Sequence, residues 1–189
     1  MLRDVVLVTC GTSLLGNMNR EGVQKKDFSS WIREHDPSYK GFGAEINSLH
    51  AIMEEYADEV APKEVVLYLS DTEDAKIVEA YLLEMIPLFF NVSLQSRTIA
   101  GLDMSRPDLF RRRGLSNLVG FLAKDVREYG PSRTVICATG GFKAMVGIAQ
   151  TFANAASVPA YYRFEFASAG MMMPPLPVSF DLSLWLRLY

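Results

Sequence analysis

The residues best suited to chemistry in this chain sit in two short loops. Residues 8–15 read Val-Thr-Cys-Gly-Thr-Ser-Leu-Leu, and residues 137–144 read Cys-Ala-Thr-Gly-Gly-Phe-Lys-Ala. Each loop follows an apolar, β-type run, residues 4–9 and 134–138. Both loops are small and rich in Gly, Thr or Ser, so backbone N–H groups and hydroxyls are exposed to a ligand. The second leads straight into a helical pattern. A strand, a glycine turn and a helix start make an anion site, because free N–H groups and the helix dipole both favour negative charge. Two such loops on one sheet suggest a ligand with more than one phosphate, with Lys143 as a point charge beside it. Each loop alone also has a plainer reading. Gly-Thr-Ser after a strand makes a tight turn with a cap, and a lysine in a first helical turn is usually solvated.

The loops need a sheet to hold them, and the rest of the chain supplies one. Residues 4–9 read as a buried strand. After the loop at 11–15, the stretch 17–40 is polar. Phe28, Trp31 and Ile32 within it have helical spacing, and Pro37 and Gly41 then break it. Residues 43–61 read as a helix with Ile46, Leu49, Ile52, Met53 and Tyr56 on one face. A second strand over 64–69 ends at Ser70-Asp71-Thr72. Thr72 or Asp71 can cap the next helix, and Glu73 and Asp74 suit its first turn. That helix runs to about Met85, with Pro87 closing it. A third strand over 92–99 ends in Ala100-Gly101-Leu102-Asp103. Residues 106–129 read as a long helix interrupted at Gly114, with Leu115, Leu118, Val119, Leu122 and Val126 on its apolar face. Gly130-Pro131-Ser132 stops it. The fourth strand is 134–138, an alanine-rich helix spans 142–156, and a fifth strand spans 160–166. Residues 171–177, Met-Met-Met-Pro-Pro-Leu-Pro, read as a turn-rich segment, flexible and apolar, suited to a dimer contact or a lid. A last edge strand over 178–182 would pair with the fifth as a hairpin, and the tail 184–189 is apolar.

Strands alternating with helices predict an α/β fold with a mostly parallel sheet. Ligands bind such sheets at the carboxyl ends of the strands, where strand order reverses. The first and fourth strands, which carry the two loops, are expected to flank that point.

The bulk properties narrow the function. A chain of 189 residues with 49% hydrophobic and 22% charged residues is an ordinary globular domain, long enough for a proper core. A net charge of −3 gives no basic field to draw in long nucleic acid. The two cysteines, Cys10 and Cys137, form no CxxC and suit buried thiols at strand ends, not a disulfide scaffold. The two histidines, His35 and His50, lack ligand spacing, so neither a metal nor a cofactor is expected. No apolar run approaches the roughly 20 residues of a membrane span, and the first residues enter a strand without a signal-peptide pattern. A cytoplasmic location is expected.

The loops match none of the common nucleotide motifs. GxGxxG, GxxxxGK[ST] and GxSxG are all absent. What the chain resembles lies elsewhere. A strand followed by Thr-Cys-Gly-Thr-Ser-Leu-Leu, a strand followed by Ala-Thr-Gly-Gly-Phe-Lys-Ala, then Ala-Tyr-Tyr-Arg-Phe-Glu and Pro-Pro-Leu-Pro-Val-Ser-Phe-Asp come in that order. Together they resemble the CARF domains of CRISPR-associated type III proteins over essentially the whole chain. The resemblance implies a Rossmann-like α/β domain, with a C-terminal hairpin, that works as a homodimer. The dimer would present a two-fold symmetric pocket to a cyclic oligoadenylate, most often cyclic tetra-adenylate, with cyclic hexa-adenylate as the main competitor.

By motif, the resemblance puts Gly11, Thr12, Ser13 and Leu14 in the pocket from the first strand. Thr139, Gly140, Gly141, Phe142 and Lys143 enter from the fourth. The strand-end loops Ser70-Asp71-Thr72 and Gly101-Leu102-Asp103 could hold adenine or ribose. Larger family members continue into a HEPN ribonuclease domain, which carries Arg, four to six residues, then His; neither His35 nor His50 has that spacing. One CARF domain over residues 1–189 is therefore expected, either as a stand-alone protein or as a sensor cut from a longer chain. Stand-alone relatives include ring nucleases, which cleave the cyclic messenger without metal. A ribose 2′-hydroxyl held in line attacks the adjacent phosphorus and leaves a 2′,3′-cyclic phosphate. Ser13 could bond a phosphate oxygen or place the 2′-hydroxyl, and Lys143 could neutralise the developing charge. Arg111-Arg112-Arg113 could send one side chain over the pocket, with Arg113 or Arg111 favoured, or could be a solvated helix face. Glu165 and Asp181 could serve as bases but suit salt-bridge or hairpin contacts better. A transcriptional role is disfavoured by the lack of a basic helix-turn-helix.

Overall fold

The computed structural model describes residues 2–164 and 169–176. Its elements run β1 (Arg3–Thr9), α1 (Ser13–Glu21), α2 (Phe28–Arg33), α3 (Gly43–Glu55), β2 (Val60–Ser70), α4 (Glu73–Phe89), β3 (Ser93–Ile99), α5 (Pro107–Leu109), α6 (Leu115–Tyr129), β4 (Thr134–Cys137), α7 (Lys143–Ala155), β5 (Ala160–Arg163) and β6 (Gly170–Met173). Between α5 and α6 the helix widens into a π turn over Phe110–Gly114.

Side-chain alternation in β1 explains the layering. Val6 and Val8 face one cluster, packed under α1 to α4 with Leu14, Phe28, Phe42, Ile46, Leu49 and Ile52. Val5 and Leu7 face the other, against Leu118 and Leu122 of α6 and Met145 and Ala149 of α7. A strand apolar on both faces must lie in the middle of a helix-covered sheet. The observed strand order is β3-β2-β1-β4-β5-β6. β1 pairs in parallel with β2 on one side and β4 on the other, and among the described residues only β5–β6 is antiparallel. The strand order therefore reverses between β1 and β4, as expected from the loops.

Several boundaries differ from the sequence reading, each for a physical reason. The polar stretch after the first loop begins as helix α1, whose buried side is only Leu14 and Met18, too narrow a stripe to announce itself. α2 does bury Phe28, Trp31 and Ile32. α3 stops at Glu55, and β2 starts early at Val60, because the register shift between Arg3 and Val5 makes room for Pro62 in the strand. Pro87 does not close α4; it sits in the last turn, where one missing N–H does not unwind the end at Phe89. The methionine run is not a turn but part of β6, paired with β5 in the register Tyr161↔Met172 and packed on Tyr56 and both core layers. The edge strand expected at 178–182, the end of the fifth strand, Glu165, Asp181 and the apolar tail lie outside the described residues.

Candidate functional site

The two loops meet over the centre of the sheet. β1 ends where the Cys10 N–H donates to the Tyr68 carbonyl at 3.0 Å. β4 ends where the Ala138 N–H donates to the Tyr161 carbonyl at 2.9 Å. Beyond these bonds the chains cross. The Thr9 hydroxyl donates to the Gly140 carbonyl at 2.7 Å. A side chain at Gly11 would lie 2.8 Å from the Gly141 amide nitrogen, and one at Gly140 would lie 2.5 Å from the Thr9 carbonyl oxygen. Glycine is required there by close approach of two backbones.

Each loop feeds a helix whose start lacks a side-chain cap. Thr12 precedes α1 without capping it, and Phe142, which has no polar side-chain atom, precedes α7. The third helix on this edge, α4, differs: the Thr72 hydroxyl accepts the Ala75 N–H at 3.3 Å. So the two helix starts flanking the switch point leave their first N–H groups to solvent or a ligand. Ser13 opens α1 and Lys143 opens α7, and both are exposed. Thr139 is half-buried, its hydroxyl oxygen accepting the Arg163 N–H at 3.2 Å and the Cys137 S–H at 3.8 Å. Leu14 and Leu102 are fully buried in the core, so neither is presented to a ligand.

The β2 and β3 ends form a second, more self-satisfied group. The Ser70 and Thr72 hydroxyls bond each other at 3.0 Å. Asp71 Oδ2 accepts the Gly101 N–H at 2.8 Å and an Arg106 N–H at 3.1 Å, while Arg106 also pairs with Asp103 at 2.8 Å. Asp71 thus braces two strand-end loops against each other. The arginine segment is anchored over the same edge from both sides. The Phe110 ring packs edge-on to Phe142 with centroids 5.6 Å apart, and any side chain at Gly114 would overlap the Gly101 carbonyl oxygen. Arg111 is drawn to Asp108 at 3.6 Å, an exposed pair. Arg113 is exposed, has no ion pair among the described residues, and has its Cβ beside Gly101. A π turn at this point fits a functional use, since such turns are frequent at sites.

Glu45 is the residue the sequence reading missed. It lies in the first turn of α3, fully buried, and its Oε1 accepts the Gly11 N–H at 2.6 Å. Burial pushes its carboxyl above the ordinary range, opposed by the Gly11 amide. A glutamate in a first helical turn looks like routine dipole chemistry. The available signal was periodicity: Glu45 shares a face with Leu49 and Ile52. Arg106 was likewise missed, and no local pattern marks it.

Among the described residues no cluster of three or more His, Cys, Asp or Glu side chains is grouped to hold a metal, and no helix is long and apolar enough to cross a membrane. Two open hollows, about 300 Å³ beside Val60 and Pro62 and about 220 Å³ beside Asn17 and Lys40, lie away from the shelf that the crossing loops form.

No curated protein matches this chain. Among solved structures it is similar to Can2 from Sulfobacillus thermosulfidooxidans in complex with cyclic tetra-adenylate, at 10% identity and a TM-score of 0.46, over 85% of this chain and 32% of that one. It is also similar to Enterococcus italicus Csm6 bound to cyclic hexa-2′-fluoro-hexa-dAMP, at 13% identity and a TM-score of 0.46, over 100% of this chain and 38% of that one. The chain spans about a third of the length of these two proteins. The model of the CRISPR-associated protein family Cas_APE2256 matches residues 40–176, which is more than half of the sequence and takes in α3, the glycine loop after β4 and β6. The chain belongs to the CRISPR-associated Cas_APE2256 family.

Proposed function

We propose that this chain is a single CARF domain that binds a cyclic oligoadenylate, cyclic tetra-adenylate foremost, in a pocket shared by two copies. We further propose that it cleaves the ring without metal, in the cytoplasm, and so ends type III CRISPR signalling. The observation that carries this reading is the pair of touching glycine loops at the β1–β4 switch point, each opening an uncapped helix with Ser13 or Lys143 at its first position. Two N–H-rich helix starts side by side suit two neighbouring phosphates of one ligand.

In the cleavage step the 2′-hydroxyl gives up its proton to water and its oxygen bonds to the adjacent phosphorus, while the bond from phosphorus to the 5′-oxygen breaks and that oxygen takes up a proton from water. Ser13 orients the attacking ribose or a phosphate oxygen. Lys143 and the helix-start amides stabilise charge on the phosphorane, and Arg113 or Arg111 reaches the ring from the π turn. Catalysis by orientation and charge needs no exposed general base.

The second reading is binding with little or no turnover, the behaviour of a sensor domain. It is favoured by the carboxylates: Glu45 is buried, and Asp71 has Oδ2 engaged by Gly101 and Arg106 and Oδ1 buried, so turnover rests on orientation and charge alone and is slow.

The test incubates the protein, with EDTA, against excess cyclic tetra- and hexa-adenylate and separates the products. Multiple turnovers to linear products ending in 2′,3′-cyclic phosphate are expected. Ser13→Ala or Lys143→Ala is expected to slow the reaction about 100-fold, the scale of losing one charge-stabilising donor. Tight binding with the ring intact selects the sensor reading, and failure to bind either ring removes both.

A further inference from the structure

Glu45 is buried beneath the shelf, and no lysine or arginine offsets its charge among the described residues. The titratable groups facing it are the thiols of Cys10 and Cys137 at the ends of β1 and β4, both pushed up by burial and hence neutral. Its carboxyl reaches the two loops of the site. Oε1 takes the Gly11 N–H at 2.6 Å, and it occupies the space where a side chain at Gly140 would go. Oε2 is buried without a partner. It lies 3.4 Å from the position a side chain at Gly43 would take, and the Ser13 hydroxyl and the Leu14 N–H face that same position at 3.0 and 3.4 Å. Gly43 has a φ of +87° and leaves this space open.

We propose that Glu45 is a positioning residue of this site: a buried carboxyl that fixes the Gly11 amide and sets the spacing between the Gly11 and Gly140 loops, so that Ser13 is presented correctly. The proposal rests on reading the shelf as a cyclic-oligoadenylate site. Burial raises the carboxyl above its ordinary range, which favours the neutral acid. An ionised Glu45 would hold Gly11 more strongly but would place a negative charge under the N–H groups meant for phosphate. Ligand binding and loss of the Glu45 proton therefore oppose each other.

Three proteins test this: the unaltered chain, Glu45→Gln and Glu45→Ala. Gln keeps the shape, the acceptor and the neutral state. Amide hydrogen exchange at Gly11, read without ligand, is expected to be slow in the first two and about tenfold faster or more in Glu45→Ala, the loss expected for a buried donor left unpaired. Affinity for cyclic tetra-adenylate is expected to fall about tenfold in Glu45→Ala. As the pH rises through the raised Glu45 value the unaltered chain should lose affinity, while Glu45→Gln loses less. A merely structural glutamate would give the two proteins the same pH profile, and that result overturns the proposal. So does unchanged Gly11 exchange in Glu45→Ala. If Glu45→Ala does not fold, the Glu45→Gln profile decides. If the unaltered chain binds neither cyclic tetra- nor hexa-adenylate, the ligand reading falls by itself. Rapid Gly11 exchange in the unaltered chain would then overturn the part given to Glu45.

Discussion

Gly140 has no room for a methyl group, because the Thr9 carbonyl oxygen would lie 2.5 Å from it and Glu45 Oε1 would be closer still. Neither neighbour is the free end of a flexible chain, so one loop must move. Gly140→Ala is expected to cost about 1–3 kcal/mol of stability, the range for overpacking a filled site. It should also weaken cyclic tetra-adenylate binding, because the two loops are forced apart. Gly120, exposed in the middle of α6, has nothing within 4 Å of the same position. Gly120→Ala should therefore stabilise by about 0.5–1 kcal/mol through helix propensity alone. Urea midpoints of the two variants check the contrast. Equal shifts of the same sign would show that the loops do not approach as described. The need for glycine at Gly11 and Gly140 was legible from the motifs. Its physical reason, backbone against backbone and against Glu45, was not.

At the level of elements, β1 and β4 are joined at both ends. At the carboxyl ends the loops cross. At the amino ends Arg133 makes a two-pronged pair with Asp4, at 2.8 and 2.9 Å. The hydrogen bonds from Arg133 hold the Asp4 carboxyl below its ordinary range. A depressed carboxylate stabilises the fold above its unfolded value, and that stability is lost as the pH falls through the lower folded value. The Arg133 side chain is 38% exposed, so solvent screens the pair. Asp4→Asn should cost about 0.5 kcal/mol at neutral pH, and the difference should vanish below about pH 3. Denaturation at several pH values measures it; a cost that persists in acid would mean the pair is not its source. The helices sort by the same logic. α4 is closed by Thr72, as expected from Ser70-Asp71-Thr72, and α1 and α7 are left without a side-chain cap.

On the scale of the whole molecule, the shelf formed by one copy is open, and a cyclic ligand has rotational symmetry. A second copy of the same shelf, related by a two-fold axis, would close it with identical contacts. The expectation is a dimer that binds one ring per two chains. Sedimentation together with calorimetry reads mass and stoichiometry in one sample set. A monomer binding one ring per chain would overturn the shared pocket. Because the proposed ligand is a ring of phosphates, affinity should also fall as salt rises, while the dimer mass stays the same.

What the sequence determined by itself is the succession of the first five strands, the two glycine loops at the ends of β1 and β4, and the motif order that points to the family. These are local properties. Runs of β-branched residues such as Val5, Val6 and Val8 set strands, and glycine with small hydroxyl residues sets turns, whatever packs around them. The tertiary structure alone decided that α1 starts at Ser13, that the methionines of β6 form an edge strand against β5, and that Leu14 and Leu102 belong to the core. It also decided that Glu45 sits beneath the shelf and that Asp71 is held by Gly101 and Arg106. The bond from Gly11 to Glu45 joins residues 34 apart, and that from Gly101 to Asp71 joins residues 30 apart. Whether a carboxylate is solvated or buried, and which amide it holds, depends on how separate elements pack, and no local pattern of residues carries that.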